Sequence, residues 1–378
     1  MFSDRRMILG ALVVLIGALL FAVAGPFSNA GILHEDHEVY EHEHEAEEHE
    51  AEEHAEHEGE HESHAREHAY HADYDYTQIV EKTFKAESGQ SLWLDTEFGK
   101  VTVRGDGGRE VVVTVIKGID DVDEDEAEEA FERFDLDFDQ SSDGVTVEGE
   151  YDGDRSWGRR KRLQVAFEIS VPRTFDVEVK TAGGSVTAED LRGETDLHTA
   201  GGSIRSVDID GPLTAQTAGG SIKVENIGGP AELHTAGGSI TARDVEGSVE
   251  AETSGGSITV ENADGDVEAE TSGGSIRLTG IHGTANAETS GGSITAELMK
   301  APDGPMNLET SAGSITLRLT EDTSIDIDAK ASGGRVRTDL DIDREGEESK
   351  TRLKGELNGG GPLVTLRTSA GSIKIMKR

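Results

Sequence analysis

The motif Thr-Ala/Ser-Gly-Gly-Ser-Ile/Val begins at Thr181, Thr199, Thr217, Thr235, Thr253, Thr271 and Thr289, at six successive intervals of 18 residues. Variants follow at Thr310, Ala331 and Thr368, after intervals of 21, 21 and 37. A fixed short period marks a solenoid, in which each repeat is one structural unit stacked on its neighbours. Within Thr253 to Glu270, Ser257-Ile258-Thr259-Val260 and Asp266-Val267-Glu268-Ala269 both alternate apolar and polar, as half-buried strands do. Asn262-Ala263-Asp264-Gly265 and Ser272-Gly273-Gly274 supply turn residues at the two ends. The expectation is an all-β chain: a β-solenoid with 18-residue coils, each of two short strands and two tight bends, preceded by a small β-rich domain with one helix.

Stacking coils about 4.8 Å apart turns equivalent positions into columns. One inward column reads Val186, Ile204, Ile222, Ile240, Ile258, Ile276, Ile294, and a second Leu191, Ile209, Ile227, Val245, Ala263, Ile281, Met299. A third, Leu197, Ala215, Leu233, Ala251, Ala269, Ala287, is small. The last aromatic residue is Phe175, and none follows in the remaining 203 positions, as a core too thin for a ring requires. The repeated threonine is expected to point inward and hydrogen-bond along its column. The paired glycines are expected to serve bends that need positive φ or close backbone approach. They do not form a phosphate loop, because no helix or lysine follows in the required pattern. The calcium-binding nonapeptide also fails, since its aspartate is missing from the Gly-Gly-Ser-Ile block.

Any function falls to the outward columns. Glu232, Glu250 and Glu268 stack on one, and Glu252, Glu270 and Glu288 two residues along. Like charges at this spacing repel by about 1 kcal/mol per pair even in water. Bound divalent cations or high salt would offset that; alternatively the face is simply solvated and blocks sheet aggregation. The other strand shows Thr187, Arg205, Lys223, Thr241, Thr259, Arg277 and Thr295, too mixed for an ice-binding threonine grid.

Upstream, residues 7–24 form an uninterrupted apolar run after Arg5 and Arg6, the layout of a secretory signal, with Ser28-Asn29-Ala30 offering cleavage after Ala30. The competing reading is an uncleaved anchor, and Arg5-Arg6-Met7-Ile8-Leu9 also loosely resembles a twin-arginine signal. All three readings place the chain outside the cytoplasmic membrane: periplasm, cell surface or membrane-anchored and extracytoplasmic. Residues 1–30 are therefore read as signal peptide or anchor, 31–76 as a His/Glu-rich disordered or helical tract, 77–180 as a β-rich N-terminal cap domain and 181–378 as the solenoid.

Eleven of the 14 histidines lie between His34 and His71. His54, His57, His61, His64, His68 and His71 alternate spacings of three and four, which puts all six on one face if the tract is helical. Imidazoles so placed are ligands for zinc, nickel or copper, and the competing reading is a solvated linker. No motif requires a cofactor, so divalent metal ions are the one candidate. In the cap, short β-branched runs alternate with glycine turns, and Ala127, Ala130, Phe131 and Phe134 mark one helical face. Arg155-Ser156-Trp157-Gly158-Arg159-Arg160-Lys161-Arg162 is a basic cluster that reads as an anion-binding loop or a charge-balanced hairpin. A net charge of −42 excludes nucleic acid as a partner, and the absence of cysteine excludes disulfides and thiolate metal sites.

Gly99-Lys100-Val101-Thr102-Val103, Glu168-Ile169-Ser170-Val171-Pro172 and the Gly-Gly-Ser-Ile ladder together resemble the bacterial "putative adhesin" family, a domain of unknown function with a β-solenoid fold. The resemblance spans roughly residues 77 to 378 and specifies fold rather than activity. It implies a non-enzymatic cell-envelope protein whose solenoid faces serve as adhesin or interaction scaffold, and some relatives are linked to envelope stress. The expected partner is a cell-envelope or surface component, protein or polysaccharide, with membrane contact only through an uncleaved N-terminal segment. Metal binding or buffering by the histidine tract is the alternative. A polysaccharide-cleaving solenoid ranks last, because coils of constant length leave no inserted loops to carry converging acids and bases.

Overall fold

The computed structural model describes residues 74–152, 163–347 and 349–378. Two long sheets lie face to face. The amino-terminal cap contributes β1 (Tyr76–Lys85), β2 (Ser91–Thr96), β3 (Lys100–Asp106), β4 (Glu110–Ile119), helix α1 (Glu124–Glu132), β5 (Phe134–Gln140), β6 (Gly144–Tyr151) and β7 (Gln164–Pro172). The coils then alternate between sheets. The second sheet receives β8 (Asp176–Thr181), β10 (Thr195–Thr199), β12 (Leu213–Thr217), β14 (Ala231–Thr235), β16 (Val249–Thr253), β18 (Val267–Thr271), β20 (Ala285–Thr289) and β22 (Met306–Thr310). The first receives β9 (Val186–Leu191), β11 (Ile204–Ile209), β13 (Ile222–Ile227), β15 (Ile240–Val245), β17 (Ile258–Ala263), β19 (Ile276–Ile281), β21 (Ile294–Leu298) and β23 (Ile315–Leu319). Neighbouring coil strands are parallel and offset by 18 residues, as in Ile240↔Ile258 and Thr253↔Thr271.

All three inward columns are buried except at one position. Met299 is 50% exposed, and Leu298 takes its place inside the core. The reason is a bulge. Asp190, Asp208, Asn226, Asp244, Asn262 and Gly280 all have positive φ, which adds one residue between the second and third inward positions of each strand. Asp and Asn tolerate that left-handed conformation because their side chains hydrogen-bond locally. β21 lacks the extra residue, so its inward spacing returns to two.

The repeated threonines point inward. Thr253 Oγ1 donates to the carbonyl of Gly238 in the preceding coil at 2.9 Å and accepts from Gly256 N at 3.2 Å. The same pair of bonds recurs at Thr199, Thr217, Thr235, Thr271 and Thr289. The two glycines differ in role. A Cβ on Gly256 would lie 1.9 Å from the Gly238 carbonyl oxygen, whereas on Gly255 the nearest atom is 3.5 Å away. Close approach between coils imposes the second glycine, and positive φ accompanies it only at Gly184 in the first repeat.

Coil order in space departs from chain order at both ends. β2 and β3 form a coil seated between β6/β7 and β8/β9, with Thr96 beside Thr181 and Val101 beside Val186. At the other end the chain runs past its final coil into β24 (Ile325–Ala331), β25 (Val336–Thr338), β26 (Asp343–Arg344) and β27 (Arg352–Leu357). It then returns to insert β28 (Leu363–Thr368) and β29 (Ile373–Lys377) between β22/β23 and β24/β25. Both sheets run unbroken from cap to coils, and one hydrophobic cluster spans them. Helix α1 is capped by Asp123 and buries Ala127, Ala130 and Phe131 at the amino-terminal end of this core. Phe134, expected on the same helical face, instead opens β5 and is buried. Among the described residues no helix is long and apolar enough to cross a membrane.

Candidate functional site

Strand alternation leaves each sheet two outward columns. On the first sheet their charges largely pair with one another: Arg104 with Glu189 at 2.7 Å, Arg243 with Glu261 at 2.7 Å and Arg318 with Glu297 at 3.4 Å. The second sheet is different. One column runs Glu178, Asp196, Thr214, Glu232, Glu250, Glu268 and Asn286. The other runs Asp95, Lys180, His198, Gln216, His234, Glu252, Glu270, Glu288, Glu309 and Arg367.

The structure thus brings Glu232, Glu250, Glu252, Glu268, Glu270 and Glu288 together as two adjacent ladders on one face. Glu309 extends the second ladder; the 21-residue interval before Thr310 hides it from an 18-residue register. Glu270 sits in the middle, and partial burial together with Glu288, Glu268, Glu252 and Glu250 pushes its carboxyl pKa up. Among the described residues Glu232, Glu250, Glu268, Glu270 and Glu288 meet no basic partner, and no three His, Asp or Glu side chains are arranged to hold a metal ion.

Toward the amino-terminal end of the same face lies a groove of about 820 Å³. It crosses β6, β2, β8, β10, β12, β14 and β16 and is lined by Lys180, His198, Gln216 and His234 from one column. Ala182, Ala200, Ala218 and Ala236 line it two residues further along each strand's exit. Asp95, Glu97, Glu148, Glu150 and Glu252 add carboxylates. His198 Nε2 lies 2.7 Å from Asp196 Oδ1, and His234 Nδ1 3.5 Å from Glu252 Oε2. Lys180 is paired with Glu178, whose hydrogen bond raises the lysine pKa. Sequence reasoning missed this groove. Its signal is a double change at one coil: the residue after the repeated threonine switches from Ala at 236 to Ser at 254, where His234 gives way to Glu252.

The proposed metal ligands His54, His57, His61, His64, His68 and His71 lie outside the described residues, as do the export segment and the basic cluster from Arg155 to Arg162.

Residues 139–376 match the family model described as Toastrack DUF4097. No curated protein matches the sequence. Two solved structures align over 80% of this chain at 12% identity. One is a "putative cell adhesion protein" from Clostridium sporogenes, covered over its whole length with a TM-score of 0.22. The other is a "putative adhesin" from Bacteroides fragilis, covered over 97% with a TM-score of 0.31.

Proposed function

The chain belongs to the Toastrack DUF4097 family, and on that premise we propose that it is an exported, non-enzymatic scaffold that holds a cell-envelope component on the outer face of its second sheet. The observation that carries this reading is the inequality of the two faces. The first sheet mixes bases with acids and pairs several of them, while the second presents carboxylate ladders without basic partners and a groove of about 820 Å³. A rigid, periodic surface with unspent polar groups is suited to binding an extended partner. Export rests on the apolar run at residues 7–24 behind Arg5 and Arg6.

Retention of the full chain on isolated envelope fractions tests it. Joint substitution Gln216→Ala, His234→Ala, Glu250→Gln and Glu270→Gln, across groove and ladders of the second face, is expected to change retention several-fold. Arg243→Gln with Glu261→Gln on the first face is expected to leave it unchanged. No retention at all, or equal effects from both faces, overturns the reading.

A second reading rests on the three-and-four spacing of His54, His57, His61, His64, His68 and His71, which favours divalent-metal capture by neighbouring imidazoles if the tract is helical. Calorimetric titration of zinc and nickel into the full chain, with and without those histidines replaced by alanine, decides it. Heat that is unchanged by the replacement removes it.

A further inference from the structure

We infer that the groove over β6 to β16 binds an uncharged, linear, polyhydroxylated chain, a neutral glycan, laid along the solenoid axis. This rests on the scaffold reading above and names the ligand class. The first argument is shape. The groove crosses seven strands, which at about 4.8 Å each spans about 29 Å. It is a trough that runs across the strands and lies open to solvent. A small molecule would occupy a fraction of it; a polymer lying along the axis meets equivalent side chains at every coil.

The second argument is chemistry. The rim carboxylates Asp95, Glu97, Glu148, Glu150 and Glu252 oppose a polyanion, and Lys180, the one basic lining residue, is already bonded to Glu178. A polycation has a better place further along the same column, at Glu270, Glu288 and Glu309, where no imidazole or amide intervenes. The groove itself offers imidazole and amide groups at His198, Gln216 and His234 beside carboxylate acceptors. Hydroxyl groups both donate and accept, so they can satisfy that mixture where a single-sign charge cannot.

The third argument is that two columns change together. Ala182, Ala200, Ala218 and Ala236 give the groove a floor of exposed methyl groups, against which the C–H face of a sugar ring can lie. At the next coil the floor becomes Ser254 and the wall becomes Glu252, and the groove ends there. The Ala-to-Ser change has no core-packing cause in the residue before it, because Thr235 and Thr253 are the same buried residue on both sides of the switch. With no aromatic residue among its lining, the groove gains affinity by adding weak contacts coil after coil.

Titration calorimetry of the full chain with soluble cello- and chito-oligosaccharides of increasing length, and with polygalacturonate and polylysine, tests the inference. Affinity for the neutral chains is expected to rise about tenfold or more from disaccharide to hexasaccharide. Gln216→Ala with His234→Ala is expected to weaken the hexasaccharide about fivefold. Ala218→Glu, at an exposed position that leaves the core intact, is expected to abolish binding, while Arg243→Gln with Glu261→Gln on the first sheet leaves it unchanged. The inference is overturned if no neutral glycan binds, if the groove variants bind like the parent, or if a charged probe occupies the groove in preference. If glycans are ignored while envelope retention persists, only the ligand class is wrong. If both are absent, the scaffold reading fails as well.

Discussion

The cap and the coils bury similar apolar ladders by different means. In the cap, rings interlock: Phe98 and Phe134 lie 5.2 Å apart between centroids, and Phe134 and Phe167 6.3 Å. Antiparallel strands, a helix and a buried lysine complete a packing that occurs once. In the coils every buried residue packs against its own counterpart one turn away, so only side chains compatible with themselves at about 4.8 Å survive. That selects Ile, Leu, Val, Ala, Thr and Gly and leaves no room for a ring. Uniqueness is confined to the ends, where the non-sequential coils sit. A sheet edge that simply repeated would template further pairing, so an end that differs from its neighbours also stops growth.

Breaking the unique packing should cost most. Phe167 is fully buried and touches the ring of Phe134, so Phe167→Ala is expected to lose about 4 kcal/mol in denaturant unfolding. A loss below about 1 kcal/mol would mean that the cap tolerates voids as a loose cluster does. The coils have a different weak point. Gly256→Ala puts a methyl group on the Gly238 backbone and is expected to cost about 3 kcal/mol, whereas Gly255→Ala next door should cost well under 1 kcal/mol. Equal effects at the two glycines would refute close stacking as the reason for the pair.

Much of this contrast was legible in the sequence. The 18-residue period defined the coil and its three inward columns, and Ala127, Ala130 and Phe131 marked the helix. Coil order at the ends was not legible, because a period states what a coil contains and not where it stacks. Thr96-Glu97-Phe98-Gly99 keeps the threonine and second glycine of the motif but replaces the first glycine with Phe98. That position is the tolerant one, which the structure explains and the sequence alone did not. The misplacement of Met299 came from carrying a bulge into a strand that lacks it. Its trace was available in the inward spacing of three between Val260 and Ala263. The six glutamates of the acidic face were found by register, but the groove required knowing that two columns share one wall.

Titration separates the regions further. Lys117 is buried in the cap, where its ammonium donates to the carbonyls of Phe131 and Phe134 at 2.8 Å, beyond the end of α1. Burial lowers its pKa to about 8, against a partial opposing effect from Asp135. Between pH 8 and the ordinary lysine pKa near 10.5 the unfolded chain binds more protons than the folded one, so stability should rise with pH across that window. The gain is up to about 3 kcal/mol, and Lys117→Met should flatten it. Unfolding free energies measured at intervals from pH 7 to 10.5 decide this. An identical slope in the variant would place the titration elsewhere.

The buried polar group of the coils carries no charge and should respond less. Thr253→Val removes one donor and one acceptor while keeping shape, leaving the Gly238 carbonyl and Gly256 N–H each short of a partner. A loss of about 1.5 kcal/mol is expected, and the same change at Thr271 should cost the same if the coils are true copies. Unequal costs would show that cap or end effects reach into the middle of the array.

The smallest effect, of opposite sign, lies where cap meets coils. Ser206 in β11 is fully buried between Ala188 and Val224 in its column, and its hydroxyl has no partner. Thr195 in β10, one strand earlier, is in the same state. A buried hydroxyl without a hydrogen bond costs stability relative to an apolar group of similar size. Ser206→Ala restores the residue type already present at Ala188 and Ala242 and is expected to gain about 1 kcal/mol in denaturant unfolding. The gain would place a polar defect of the inward columns in the second coil, β10/β11, which holds both Thr195 and Ser206, where the core is still adjusting from rings to methyl groups. A loss instead would mean that the hydroxyl is held in solution by an internal water, and the coils would then be less uniform than their period implies.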